Sequence, residues 1–200
     1  MSIPTLWSNL VLPRLGLGMR GRTAVNAAVA TAYARIFGRG VPIGSPARRP
    51  LATFGPAAAV IAGYGVALAV PALRARLAGF GDRAPEVPLV EWAAVHILLG
   101  TVCSEELIFR ATLDPLLDQT VGPLGTWLGA GVFGLWHIAP ARGAGDNVPV
   151  AIAVTTVGGL VLGWQYRRTG GVLAPALLHL AVNVGGALAP AVAVRIGPGR

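Results

Sequence analysis

Hydrophobic positions in this chain come in long unbroken runs, without the alternation of a half-buried strand or the one-sided stripe of a soluble helix. Pro50 to Leu73 passes 24 residues without a charge, Gln119 to Ala141 passes 23, Asn147 to Tyr166 passes 20 and Thr169 to Val194 passes 26. At about 1.5 Å rise per residue, about 20 apolar residues cross a bilayer as a helix. All four runs are long enough. A fifth stretch, Val87 to Arg110, is apolar from Trp92 to Ser104 except at His96, then meets two carboxylates and an arginine. The pattern predicts an all-α polytopic membrane bundle of five spanning helices. Thr23 to Gly38 is Ala-rich, broken by Asn26 and Arg35, and predicts an interfacial or half-inserted helix, with a sixth span as the alternative. Linkers rich in Pro, Gly and Arg fall at 39–50 and 74–88. The chain thus divides into a basic amino-terminal segment over 1–50, a first span with its linker over 51–86, and a helix bundle over 87–195.

Composition agrees. Hydrophobic residues make up 54% and charged residues 12%, the latter about half the usual share of roughly 25% in soluble domains. A soluble fold would lack charges to cover its surface, and a disordered chain would lack this apolar content. The single cysteine, Cys103, excludes an intrachain disulfide and reads as a small apolar filler. All 16 basic residues are arginine, against 8 acids. With alternating spans, nine arginines share the side of the amino terminus (Arg14, Arg20, Arg22, Arg35, Arg39, Arg48, Arg49, Arg167, Arg168) and six the other (Arg74, Arg76, Arg83, Arg142, Arg195, Arg200). That bias predicts a cell-membrane protein with a cytoplasmic amino terminus, and a sixth span would reverse it. No basic helical face interleaved with aromatics appears, so lipid and not nucleic acid is the expected surroundings. No basic region precedes the first apolar run, so no signal peptide is expected. Gly125 with Gly129 and Gly159 with Gly163 have the spacing of close helix contacts, or reflect simple abundance.

Ionisable groups inside a spanning helix are costly, roughly 2.5 to 3.5 kcal/mol each, and mark function. This chain has Glu105, Glu106 and Arg110 in EELIFR, His137 in FGLWH, and His179 with Asn183 in HLAVN. Glu106 with Arg110, Phe133 with His137, and His179 with Asn183 are spaced i, i+4, so each pair shares a helix face. Glu105 lies 17 residues before Gly122 and His137 15 after it, roughly 25 and 22 Å along antiparallel helices. Asp114 and Asp118 predict a hairpin that protrudes from the bilayer. That places Glu105 roughly 10 Å below the surface, with His179, eight residues past Gly171, roughly 12 Å deep on the same side. A carboxylate, two imidazoles and a carboxamide in one recessed wet pocket suit amide hydrolysis. A glutamate can take a proton from water, histidines can hold a metal or donate to an oxyanion, and Asn183 can donate or ligate. The H-E-x-x-H pattern of soluble zinc proteases is absent, so any zinc site must come from three helices.

The ordered set EExxxR, FxxxH and HxxxN on successive apolar helices resembles the CPBP family of intramembrane proteases. That family includes the type II CAAX prenyl endopeptidases and the bacterial Abi, or bacteriocin-immunity, proteins. The resemblance covers about 88–190 and leaves the first half of the chain outside it. It implies a membrane-embedded endopeptidase, metallo- or glutamate-dependent, with 87–195 as its catalytic bundle. The substrate would be a peptide or membrane-anchored protein cut near its carboxyl terminus, as in CAAX processing. By the same resemblance Glu105 activates water with His137 beside it, and His179 and Asn183 bind a metal or stabilise the oxyanion. Glu106 and Arg110 then lock the helix as an ion pair, and Phe133 packs as a spacer. A zinc-type ion would draw on His137, His179, Asn183 and Glu105.

Other polar groups read as structural. His96 stands nine residues before Glu105, on the opposite side of an α-helix, and Glu91 reads as interfacial. Trp7, Trp92, Trp127, Trp136 and Trp164 fall mostly near span ends, where aromatic belts form. Two other functions use the same residues: a proton or ion transporter, though no inverted hydropathy repeat is visible, and a non-catalytic immunity or scaffold protein.

Overall fold

The computed structural model of the chain describes residues 2–38, 40, 49–81 and 85–197, and every regular element among them is helical. In chain order these are α1 (residues 2–14), α2 (Met19–Phe37), α3 (Pro50–Ala69), α4 (Pro71–Ala78), α5 (Leu89–Val121), α6 (Leu124–Trp136), α7 (Ile138–Gly143), α8 (Val148–Thr169) and α9 (Leu173–Ile196). The chain is an integral membrane protein with four candidate spans, α3, α5, α8 and α9. Their outer faces expose large apolar side chains such as Ile61, Val154 and Val194, as lipid-facing helices must.

Among the described residues four spans, not five, meet the length requirement. The run 119–141 is divided: α5 carries through Val121, Gly122 turns the chain with φ 59°, and α6 is only 13 residues long, about 20 Å. It stops at His137 and resumes as α7. The expected helix 23–38 begins earlier, at Met19, and is not among the candidate spans. Residues 2–14, which the hydrophobic pattern did not mark, are helical as well. The linker expected over 39–50 lies outside the described residues except at Gly40, Arg49 and Pro50. The linker expected over 74–88 begins inside helix α4, and its residues 82–84 lie outside the description, as do Arg39, Arg48, Arg83 and Arg200 of the arginine tally.

Local chemistry fixes the helix ends. At the start of α8 the Asn147 side chain accepts the Val150 N–H at 3.1 Å, and Gly170 closes it in the left-handed conformation, donating to Tyr166 O. Within α5, Trp92–Cys103 and Phe109–Leu113 wind as π-helix, whose i→i+5 bonds widen the turn. Ser104 and Thr112 donate from their hydroxyls to carbonyls five residues back, Leu99 O and Leu107 O, in the same register.

Packing places the polar positions inside. Helix α5 lies against α2 and α9, α6 against α8, and α9 against α3. Glycines allow the α6–α8 contact. A Cβ on Gly159, one of the spaced set, would lie 3.0 Å from the Ala130 Cα, and one on Gly134, outside that set, would run into Thr156 Oγ1. Phe109, Phe133, Trp136, Leu113 and Leu178 form the buried core, with Arg110 wholly enclosed among them.

Candidate active site

The break at His137 is where the site begins. His137 holds φ −88° and ψ 5°, in the sparsely populated bridge region where active-site residues often sit. Its N–H donates to Gly134 O at 3.1 Å, not four residues back, and the imidazole Nδ1 takes the released Phe133 O at 2.8 Å. A carbonyl can only accept, so Nδ1 carries the proton and, in the neutral ring, Nε2 presents a lone pair. That nitrogen lies 3.9 Å from Glu105 Oε2.

From the other side, α9 brings His179. Its Nδ1 donates to Glu106 Oε1 at 2.8 Å, and its Nε2 lies 3.8 Å from the same Glu105 Oε2. Glu105 Oε1 accepts the Trp136 indole N–H at 3.1 Å, whereas Oε2 is buried with no hydrogen-bond partner. With both rings neutral, three acceptors, two imidazole lone pairs and one carboxylate oxygen, converge on a space that only a proton donor or a cation can occupy favourably. Phe133 separates them as a wedge, with ring centroids 4.9 Å from His137 and 6.0 Å from His179. Asn183 lines the same cavity of about 320 Å³ as Glu105 and His137, and donates one amide N–H to His179 O at 3.0 Å. Among the described residues no three His, Cys, Asp or Glu side chains are close enough to enclose a metal ion as they stand.

Glu105, His137, His179 and Asn183 thus come together, and the surrounding residues differ from expectation in four ways. Glu106 does face Arg110, at 3.6 Å, but it also orients the His179 ring. Asp114 is not solvated on a protruding hairpin. It is 2% exposed, 3.8 Å from Arg110 and 4.0 Å from Arg167, while Asp118 takes the closer pair with Arg167 at 2.7 Å. Trp136 belongs to no aromatic belt but is buried against Glu105, although Trp127 and Trp164 are exposed at 65% and 55%. His96 lines the cavity with Glu105. The π-winding explains it: at roughly 4.4 residues per turn, nine residues close about two turns. His96 is still held structurally, with Thr23 Oγ1 at 2.7 Å and Glu91 Oε1 at 3.2 Å, and Glu91 is bound in turn by Arg20 at 2.6 Å.

Sequence reasoning missed the contribution of α1 and α2, which supply Ser8, Arg22 and Asn26 to the cavity wall. The available signal was polar residues inside otherwise apolar helices, Ser8, Asn9 and Asn26. A second cavity of about 700 Å³ adjoins the first, sharing Trp92, Thr101 and Asn183, with Tyr64, Phe80 and Ile97 in its wall.

No curated protein and no solved structure matches the chain. Residues 87–185 match the family described as Type II CAAX prenyl endopeptidase Rce1-like. This segment contains α5, the broken α6–α7 pair, α8 and the first half of α9, and with them every group around Glu105 Oε2. Through residues 87–185 the chain belongs to the Rce1-like type II CAAX prenyl endopeptidases, the CPBP family of membrane proteases.

Proposed function

We propose that the chain hydrolyses a peptide bond near the carboxyl terminus of a membrane-anchored protein or peptide, using water activated by Glu105, with residues 87–195 as the catalytic bundle. The observation that carries this is the unsatisfied Glu105 Oε2 facing two imidazole lone pairs. A water placed there donates to the carboxylate and is poised to lose its proton to it. Trp136, by holding Oε1, leaves Oε2 facing the two imidazoles. His137 accepts the water's second hydrogen and fixes its direction of attack. Asn183 has a second amide N–H for the carbonyl oxygen as it becomes negative. Glu106 and Phe133 hold His179 and His137 apart and in register.

The donor chemistry suits a zinc-type ion. Both imidazoles present a neutral lone pair while the other nitrogen is anchored, His137 on a carbonyl and His179 on a carboxylate, the usual support of ligating histidines. His137, His179 and Glu105, with the Asn183 carboxamide beside them, would hold it. Such an ion supplies Lewis acidity toward water and the scissile carbonyl. The second cavity is walled by aromatic and aliphatic side chains, which suits an apolar chain near the scissile bond. Alternating the four candidate spans moves Arg142 and Arg195 to the side of the amino terminus and Arg167 and Arg168 away from it. The arginine excess stays on the amino-terminal side and supports a cell-membrane location with that terminus in the cytoplasm.

The test in cells is a proteomic comparison of membranes carrying the wild type and Glu105→Gln. Uncleaved carboxyl termini accumulate with the variant. Identical termini in the two membranes would end this assignment.

A further inference from the structure

The family match begins at residue 87, yet two polar side chains of α1 sit in the break that aims His137. Pro140 has no N–H, so Trp136 O lacks the donor that a continuous helix would supply four residues on. Ser8 Oγ donates to it instead, at 2.6 Å. One step earlier, Leu135 O and Ala139 N would form the next helical bond, and Asn9 stands between them. Its Nδ2 donates to Leu135 O and its Oδ1 accepts from Ala139 N, both at 2.8 Å. A carboxamide carries a donor and an acceptor on one carbon, so one side chain satisfies both ends of an opened helical bond. Three backbone groups on either side of His137 are thereby satisfied where lipid offers nothing in exchange.

We propose that Ser8 and Asn9 are positioning residues for His137. They stabilise the opened backbone that frees Phe133 O for the imidazole Nδ1 and so turns Nε2 toward Glu105. Without them the His137 backbone N–H returns to Phe133 O and the ring loses its anchor, while Trp136 O, facing Pro140, stays without a helical donor. The effect on rate rests on the hydrolytic reading of Glu105 and His137; the effect on the ring does not.

The chain has three histidines, so ring-nitrogen NMR of the full-length protein, labelled with ¹⁵N-histidine in detergent micelles, resolves each one. The His137 signals are identified by their loss in His137→Gln. The wild type shows His137 as a single Nδ1–H tautomer. In Ser8→Ala/Asn9→Ala it becomes an averaged mixture, while His96 and His179 keep their wild-type signals. With a quenched fluorescent peptide ending in a prenylated Cys-a-a-X sequence as probe, kcat falls about tenfold or more and KM stays within about twofold. Asn9→Asp, which keeps the acceptor for Ala139 N, falls between the two. Leu10→Ala, at the exposed neighbouring position, changes neither readout. A His137 spectrum unaltered in the double variant, or all three histidines shifting together, overturns the proposal. If the His137 tautomer changes as stated but wild type and Glu105→Gln treat the peptide alike, the hydrolytic reading fails and the positioning role stands.

Discussion

Glu105 and Glu106 are adjacent, yet about 100° apart around α5, and they meet different partners. Glu105 keeps one oxygen free, whereas Glu106 is divided between the His179 ring and the enclosed Arg110. Glu106→Gln still offers an oxygen to His179 Nδ1 but loses the charge that balances Arg110. Peptide cleavage is expected to fall about 10- to 100-fold, as for groups that orient metal-type histidines. Stability falls too, because removing one member of a buried ion pair costs about 3–5 kcal/mol, with Asp114 at 3.8 Å offsetting part of it. Thermal unfolding and kcat measured together check this, and a variant unchanged in both would contradict it. Metal dependence is decided at the same residues. A chelator that removes the ion should abolish cleavage, and restored zinc should recover it. Acid should release the ion, since imidazole ligates only when neutral. Full activity in a metal-free preparation would show that Glu105 works without it.

At the scale of helices, the site depends on how close α6 comes to α8. Gly134→Val would drive its side chain against Thr156 Oγ1 and to 2.9 Å from Ile152 O, three residues before the break at His137 that aims the ring. Overpacking of this kind costs about 1–3 kcal/mol, read as a lowered unfolding temperature accompanied by lost cleavage. Gly131→Ala, which meets nothing within 4 Å, should leave both unchanged or raise stability slightly. The proximity of Glu105, His137 and His179 was legible in the sequence because charge is so costly in lipid that these three stood out, although the depths counted from a protruding hairpin rested on a solvated Asp114, which is buried. The winding of α5 was not legible. An α-helical period puts His96 opposite Glu105, and only the π-helical turns over Trp92–Cys103 bring it round. The division of the run 119–141 left a mark in Pro140, which removes a helical donor, but apolar length alone conceals it. Glu106 binding His179 and Asp114 facing Arg110 and Arg167 are contacts between distant segments, which neighbour spacing cannot reveal.

Across the whole molecule, the amino-terminal helices are fastened to the rest of the chain by charge at one end and by hydrogen bonds to opened helix backbone at the other. Glu86 accepts the Met19 N–H at 3.0 Å and pairs with Arg22 at 2.8 Å, which holds its carboxyl below the ordinary range. A depressed carboxyl stabilises the fold above its unfolded pKa and loses that contribution as pH falls through the folded value. The difference in unfolding temperature between wild type and Glu86→Gln should therefore be full at neutral pH and vanish in acid below the folded pKa. A difference that persists there would show that the charge is not what fastens α2. The docking of α1 and α2 was the least legible part of the fold, because Ser8, Asn9 and Asn26 find their partners more than 70 residues away. The proposed hydrolysis turns on Glu105, and the most direct test is the rate at which purified protein in lipid vesicles cleaves the prenylated Cys-a-a-X peptide, wild type against Glu105→Gln. Loss of a general base predicts a fall of about 10²–10⁴-fold with the unfolding temperature preserved or raised. Cleavage by Glu105→Gln at the wild-type rate would show that Glu105 is not the base.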